Sequence, residues 1–194
     1  MTGEQLSVAR KLVPGRECGA CTVCCKVLAI KAPELKKLPE VLCTHCTAGV
    51  GCAIYNARPQ VCRDWHCGWR YLAFLGDEWR PDRSGILIEA ATADIPQEFP
   101  RRDGLKFVLR TGALNAVLWP ALQSAIASLV DDGVPVLLGI PGPHGYEGRN
   151  VFLNYAIAGA VAARNCRAIV EQLVIAVEAG VRAEHRKIDL NADD

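Results

Sequence analysis

Cys18-Gly19-Ala20-Cys21-Thr22-Val23-Cys24-Cys25 is the stretch on which the reading of this chain turns. Cys43, Cys46, Cys52, Cys62 and Cys67 follow it, and only Cys166 lies beyond. Thiolates are soft ligands for zinc, copper(I) and iron–sulfur clusters. This density predicts a metal-centred module. An irregular segment of this kind buries little apolar surface, so cross-links must hold it. Met1 to Glu17 contains no apolar stretch of the sort that leads a secreted chain. The longest apolar run, Tyr155 to Ala163, falls short of the ~18–20 residues that span a bilayer. The expectation is a cytoplasmic protein with no membrane partner, whose reducing surroundings favour metal binding over disulfides.

The spacing supports more than one arrangement. Cys21, Cys24, Cys43 and Cys46 form two C-x2-C turns, the pattern of a closed zinc site. Cys18-x2-Cys21-x2-Cys24 instead presents three thiolates to one cuboidal cluster, as in bacterial ferredoxins, although no cysteine here is followed by proline. The Cys24-Cys25 pair narrows the choice. In extended chain adjacent side chains point to opposite sides, so the pair is read as serving two centres, or different irons of one larger cluster. His45 and His66 lie inside the module. With thiols in surplus they are read as bystanders rather than ligands.

The whole chain has 194 residues, is 51% hydrophobic and 22% charged, and carries a net charge of +1, an ordinary globular composition. The charge is uneven, at +5 over residues 1–70 and −4 over 71–194. The basic half does not call for nucleic acid. Eight thiolates around two divalent ions leave about −4 to be balanced, and Lys26, Arg58, Arg63 and Arg70 lie near cysteines in sequence.

The organisation read from the sequence is α+β: a cysteine-rich, metal-stapled N-terminal module packed on a small sheet with C-terminal helices. Residues 1–17 are expected to be a mobile lead-in with a short helix from Glu4 to Leu12. Residues 18–70 form the metal- or cluster-binding module, with one or two helical turns at Glu34–Leu38. Residues 71–194 form the α+β body. There a short helix is expected at Arg70–Leu75 and strands at Ile86–Ala90 and Leu105–Leu109. Pro120 opens a helix to Val130, with Leu122, Ile126, Leu129 and Val130 on one face. Val134–Ile140 reads as a buried strand, 141–150 as a Gly/Pro loop, and 151–164 and 167–180 as helices, the second stopped by Gly180. The last 14 residues are expected to fray.

Cys-Gly-Ala-Cys-Thr-Val-Cys-Cys at 18–25, together with the run from Gly51 to Trp69, resembles the YkgJ-type cysteine-cluster family, described as a zinc- or iron-chelating domain with a CxxCxxCC signature. Cys18, Cys21, Cys24 and Cys25 match the opening signature, and Cys43 the central cysteine. Gly51-Cys52-Ala53-Ile54-Tyr55 matches GC-x-I-Y, Arg58-Pro59 with Cys62-Arg63 matches RP-x-x-CR, and Cys67 closes the pattern. The resemblance covers about residues 18–70 and implies the metal-ligand set Cys18, Cys21, Cys24, Cys25, Cys43, Cys52, Cys62 and Cys67, with Cys46 outside it. It implies an iron–sulfur cluster or Zn2+ as cofactor, in one or two centres, not an activity. The same module resembles part of the flagellin lysine N-methylases, which brings a transferase-type enzyme into view. No residue here can be matched to a methyl-donor site.

Tyr55, Trp65 and Trp69 are read as aromatic cover over the centre. His144, Tyr146 and Arg149 are the polar groups of the 141–150 loop, whose glycines fit neither common nucleotide fingerprint. Cys166 is read as a buried small apolar residue. The expected function is therefore metal binding, with iron–sulfur ahead of zinc because a C-x2-C-x2-C triplet suits a multinuclear cluster. The role is redox, sensing or accessory. The expected partners are the metal ion and, for a structural zinc module, another protein. An enzyme is the alternative.

Overall fold

The computed structural model describes residues 11–191. The body is a four-stranded sheet in the order β5 (Ile86–Ala91), β6 (Gly104–Leu109), β7 (Val136–Ile140), β8 (Arg149–Phe152). β5 and β6 are antiparallel, with Ile88 opposite Phe107. β6 and β7 are parallel, with Phe107 opposite Leu138. The connection between them carries α5 (Pro120–Asp131), as a parallel pair requires. β7 and β8 are an antiparallel hairpin. α6 (Asn154–Ala162) and α7 (Cys166–Arg182) follow.

Period-two alternation sorts the sheet into unlike faces. Ile86, Ile88, Phe107, Leu109, Val136, Leu138 and Ile140 form one face and are sealed by Leu122, Ile126, Ile157 and Leu173 of the helices. The other face carries Glu89, Lys106, Val108, Gly139 and Asn150, and its apolar part is a small cluster of Ala91, Ile95, Phe99, Leu137 and Phe152. The α+β class read from the sequence is what the chain adopts. Among the described residues no helix is long and apolar enough to cross a membrane.

The cysteine-bearing segment has little regular structure. It contains α1 (Val23–Val27), the hairpin β1 (Ile30–Ala32) and β2 (Leu35–Lys37), a two-rung ladder of β3 (Cys46–Thr47) and β4 (Gly51–Cys52), α2 (Gln60–Asp64) and α3 (Gly68–Tyr71). It packs directly on the body. Val23, Val27, Cys67 and Trp69 belong to the same apolar cluster as the sheet. Gly68 lies against Ile88 so closely that a Cβ would come within 2.6 Å of its Cγ2. α4 (Pro81–Ser84) then leads into β5.

Several expectations are corrected. Glu34–Leu38 is not helical, because Pro33-Glu34 turns the chain back and Leu35–Lys37 pairs with Ile30–Ala32. The helix expected at Arg70–Leu75 is one turn, Gly68–Tyr71. Arg149–Phe152 is a strand rather than loop and helix start. Its apolar pair Val151-Phe152 runs straight into the apolar helix behind it, which hides the boundary. Gly180 does not stop α7. It sits inside the helix where a Cβ would lie 2.9 Å from Ile140 Cδ1, so close helix–sheet approach is its reason. Cys166 is exposed, the first residue of α7 after the Asn165 cap.

Both expected loose ends are tied down where described. Val13 N–H donates to Arg70 O at 2.8 Å, and the Arg16 guanidinium donates to the carbonyls of Trp69, Leu72 and Leu75. Lys11 and Leu12 are not helical, and the rest of the Glu4–Leu12 helix lies outside the described residues. At the other end Glu147 N–H donates to Arg186 O at 2.8 Å and Ile188 N–H to Gly145 O at 2.9 Å. The C-terminal strap thus docks on the β7–β8 connection.

Asn154 is 4% exposed and joins α6 to β7. Its Oδ1 accepts Val136 N–H at 2.8 Å and its Nδ2 donates to Val134 O at 2.8 Å. Asn154→Ala leaves a buried donor and a carbonyl unsatisfied, and should lower unfolding stability by about 2–4 kcal/mol, measured by urea titration.

Candidate metal centre

Nine cysteines from four short elements and the turns between them line one cavity of about 250 Å³, with Tyr55, Trp65, Arg58, Arg70, His45 and His66 in the same wall. Backbone hydrogen bonds place the sulfurs. Cys21 N–H donates to Cys18 O at 2.9 Å, closing the first C-x2-C turn. α1 carries Cys24 and Cys25 side by side. Cys43 N–H donates to Cys25 O and Cys46 N–H to Cys43 O, each at 2.9 Å, and Cys46 stands opposite Cys52 across the β3–β4 ladder.

Electrostatic neighbours connect the thiols through the Cys24-Cys25 dipeptide. Cys18 and Cys21 bear on Cys67, and Cys25, Cys18 and Cys21 bear on Cys24. Cys25, Cys43 and Cys52 bear on Cys62 and on Cys46. The dipeptide is helical, not extended, and its sulfurs are 3.9 Å apart.

Protonation follows from burial and neighbours. Hydrogen bonding from the Cys24 thiol, with help from Cys46, Lys37 and Arg58, lowers Cys25 to about 6 against the opposing effect of burial. Cys24 keeps its proton, raised by that same hydrogen bond and by burial. Burial pushes Cys67 up to about 11 and also raises Cys21, Cys46 and Cys62. His66 is lowered by burial and by Arg70 and Arg58, so its imidazole is neutral near pH 7.

Cations face the sulfurs. Arg70 is only 8% exposed. Its Nη1 lies 3.5 Å from Cys18 Sγ and 3.2 Å from Tyr55 Oη, while its Nε is buried with no partner. A buried guanidinium with a spare donor suits a site that carries negative charge. Arg58 stacks its guanidinium 3.9 Å over the Tyr55 ring, and its charge bears on Cys25 and Cys62. Arg63 bonds Gln60 instead, and Lys26 is exposed.

Lys37 is the cation that sequence reading passed over. It is buried, and its Nζ donates to the carbonyls of Lys26, Leu38 and Val41 at 2.9, 2.9 and 2.8 Å. Those bonds pin the chain before Cys43 to the end of α1, beside Cys25. Only the register of β2, which turns Lys36 outward and Lys37 inward, distinguishes it from its neighbour.

The donors fit a thiolate-bound metal in number, softness and charge compensation. As they stand they are gathered rather than clamped: among the described residues no three His, Cys, Asp or Glu side chains close tightly enough to hold an ion. Protonated thiols hydrogen-bond one another, and a metal must displace those protons to bind.

A second cleft, of about 450 Å³, opens on the polar face of the sheet between Glu89, Lys106, Gly139 and the 141–148 turn. Leu28, Ala29 and Glu89 belong to the walls of both cavities. Tyr146 lines this cleft, whereas the 141–148 segment joins two antiparallel strands, not the strand-to-helix junction of a phosphate loop. His144 and Arg149 are not part of the cleft wall. No protein family, curated protein or solved structure matches the chain.

Two outcomes follow. Lys37→Met leaves three part-buried carbonyls without their shared donor and should cost about 1–3 kcal/mol, read by denaturant unfolding. Beside Cys21, the Arg80 guanidinium holds Asp82 below its ordinary value through bonds of 2.6 Å. A lowered carboxyl stabilises the fold above its unfolded pKa and loses that contribution as pH falls through the folded one. Asp82→Asn should therefore melt earlier than wild type at pH 7, with the gap closing below about pH 4.

Proposed function

We propose that the chain is a metal-binding protein in which residues 18–67 hold two thiolate-ligated centres, with iron–sulfur favoured over zinc. One observation carries this reading: nine thiols line one small cavity. The unpartnered Nε of buried Arg70 supports it, since a cluster or a tetrathiolate zinc carries net negative charge. Cys18-x2-Cys21-x2-Cys24 favours a cluster at that turn, with Cys67, whose electrostatic neighbours are Cys18 and Cys21, as the distant fourth ligand. The eight ligands are those implied by the YkgJ-type resemblance, and membership of that family is part of the proposal. So is a reducing, cytoplasmic location.

When bound, such a centre supplies electron transfer, sensing or a structural clamp. The residues around it keep it dry and balanced. Trp65 and Tyr55 line the cavity, and Arg70, Arg58 and Lys37 supply positive charge. An enzyme is the second reading, favoured by the cleft that shares Glu89 with the cysteine cavity. It requires an open metal position, so added cyanide should change the centre's absorption. An unchanged spectrum counts against it.

Elemental analysis with visible absorption, on protein purified without oxygen, tests the main reading. Iron with acid-labile sulfide and broad visible absorption is the expected result. Colourless protein with stoichiometric zinc would keep the centres but make them structural. Protein free of bound metal would overturn the proposal.

A further inference from the structure

The cleft on the polar face of the sheet has a chemistry of its own. At about 450 Å³ it is the size of a small-molecule site. Part of its wall is apolar: Leu28 at the end of α1, Val108 of β6, Ile140 of β7 and Ile188 of the C-terminal strap. Three carboxylates share that wall, and two of them are matched. Glu89 faces Lys106 at 3.4 Å, and Glu147 takes the Arg186 guanidinium through two bonds.

Glu40 is the third. Its Oε1 is buried with no hydrogen-bond partner among the described residues, and none of the ion pairs among those residues includes it. Its charge bears on buried Lys37, but the Lys37 Nζ is already committed to three carbonyls. The backbone adds a second oddity. Pro39 and Glu40 form the turn after β2, and Glu40 has φ 61°. Glycine adopts that region at no steric cost, and a glutamate does not. Turn geometry alone therefore does not explain the side chain.

We propose that this cleft binds a small primary amine with an apolar body, its ammonium at Glu40 and its carbon skeleton against Leu28, Val108 and Ile188. An ammonium brings three donors and a positive charge to a carboxylate that lacks an ion partner. Burying a polar group short of partners is costly, and the arriving cation removes that cost. An anionic ligand would have to take Lys106 from Glu89 and would meet the Glu40 charge as well. The skeleton gains from the apolar wall by leaving water. None of these groups is a cysteine, so the site stands whether or not the thiols hold metal.

The test titrates 2-phenylethylamine into the full-length protein by isothermal titration calorimetry, beside its anionic and neutral counterparts 3-phenylpropionate and 2-phenylethanol. The amine should bind, and each counterpart at least tenfold more weakly. Glu40→Gln keeps the shape of the side chain and should weaken the amine at least tenfold. Glu40→Gly should weaken it as much, yet unfold at the wild-type temperature or above, because glycine suits the turn. Val108→Phe leaves Glu40 in place, narrows the cleft and should also weaken the amine. No binding of the amine, stronger binding of the propionate, or an affinity unchanged in Glu40→Gln would each overturn the proposal. So would a Glu40→Gly protein that unfolds well below wild type, since Glu40 would then serve the fold through Lys37.

Discussion

Crowding of ionisable sulfur is the constraint on which this molecule is built. Nine thiols on a cavity of about 250 Å³ cannot all carry charge unless cations enter the low-dielectric interior with them. The chain meets this with Arg70, held between Cys18 and Tyr55, with Arg58 over Tyr55, and with Lys37. Placing those cations requires the β1–β2 hairpin for Lys37 and the α3 turn for Arg70. The short elements of residues 18–71 thus serve as brackets for charge as much as for sulfur.

The brackets need a wall, and the sheet supplies it. Residues 18–71 form no apolar cluster of their own. Val23, Val27 and Trp69 are buried against β5 and its neighbours, and Gly68 admits α3 to contact with Ile88 that any side chain would block. The docking of Val13 and Arg16 on the carbonyls of Trp69–Leu75 closes the same seam. The boundary near residue 70 marks a change in composition, while the packing runs across it.

What was legible in the sequence follows from the range of the interaction involved. The strands at 86–91 and 104–109 and the helix from Pro120 obey a local period, and they stand where that period put them. β8 did not show, because four residues with two apolar side chains carry too weak an alternation against the helix that follows. Gly180 was misread for a related reason: a glycine near a helix end has a local explanation, and its contact with Ile140 lies forty residues away. At the site, spacing exposed the cysteines but not their neighbours. Cys21 and Cys46 look like partners by spacing, yet Cys21 closes its turn on Cys18 while Cys46 stands opposite Cys52 across the β3–β4 ladder. Cys46 lay outside the family pattern, and only the β3–β4 register brings it to Cys25 and Cys52. Lys37 is invisible without the parity of β2.

The shared wall bears most directly on function. Glu89 and Lys106 lie 3.4 Å apart on the polar face of the sheet, at the point where the cysteine cavity and the second cleft adjoin. A sheet whose sole task was to support a structural clamp could fill that face with apolar side chains, as its other face is filled. Instead Val108 lies over Gly139 in the cleft floor, and Glu89, Lys106 and Glu147 stand in the same wall. Burying charge beside a thiolate-rich cavity costs desolvation energy, and packing does not explain that cost. Leu28, Ala29 and Glu89 belong to both walls, so the polar chamber and the cysteine cavity share one partition, built from the end of α1 and from β5.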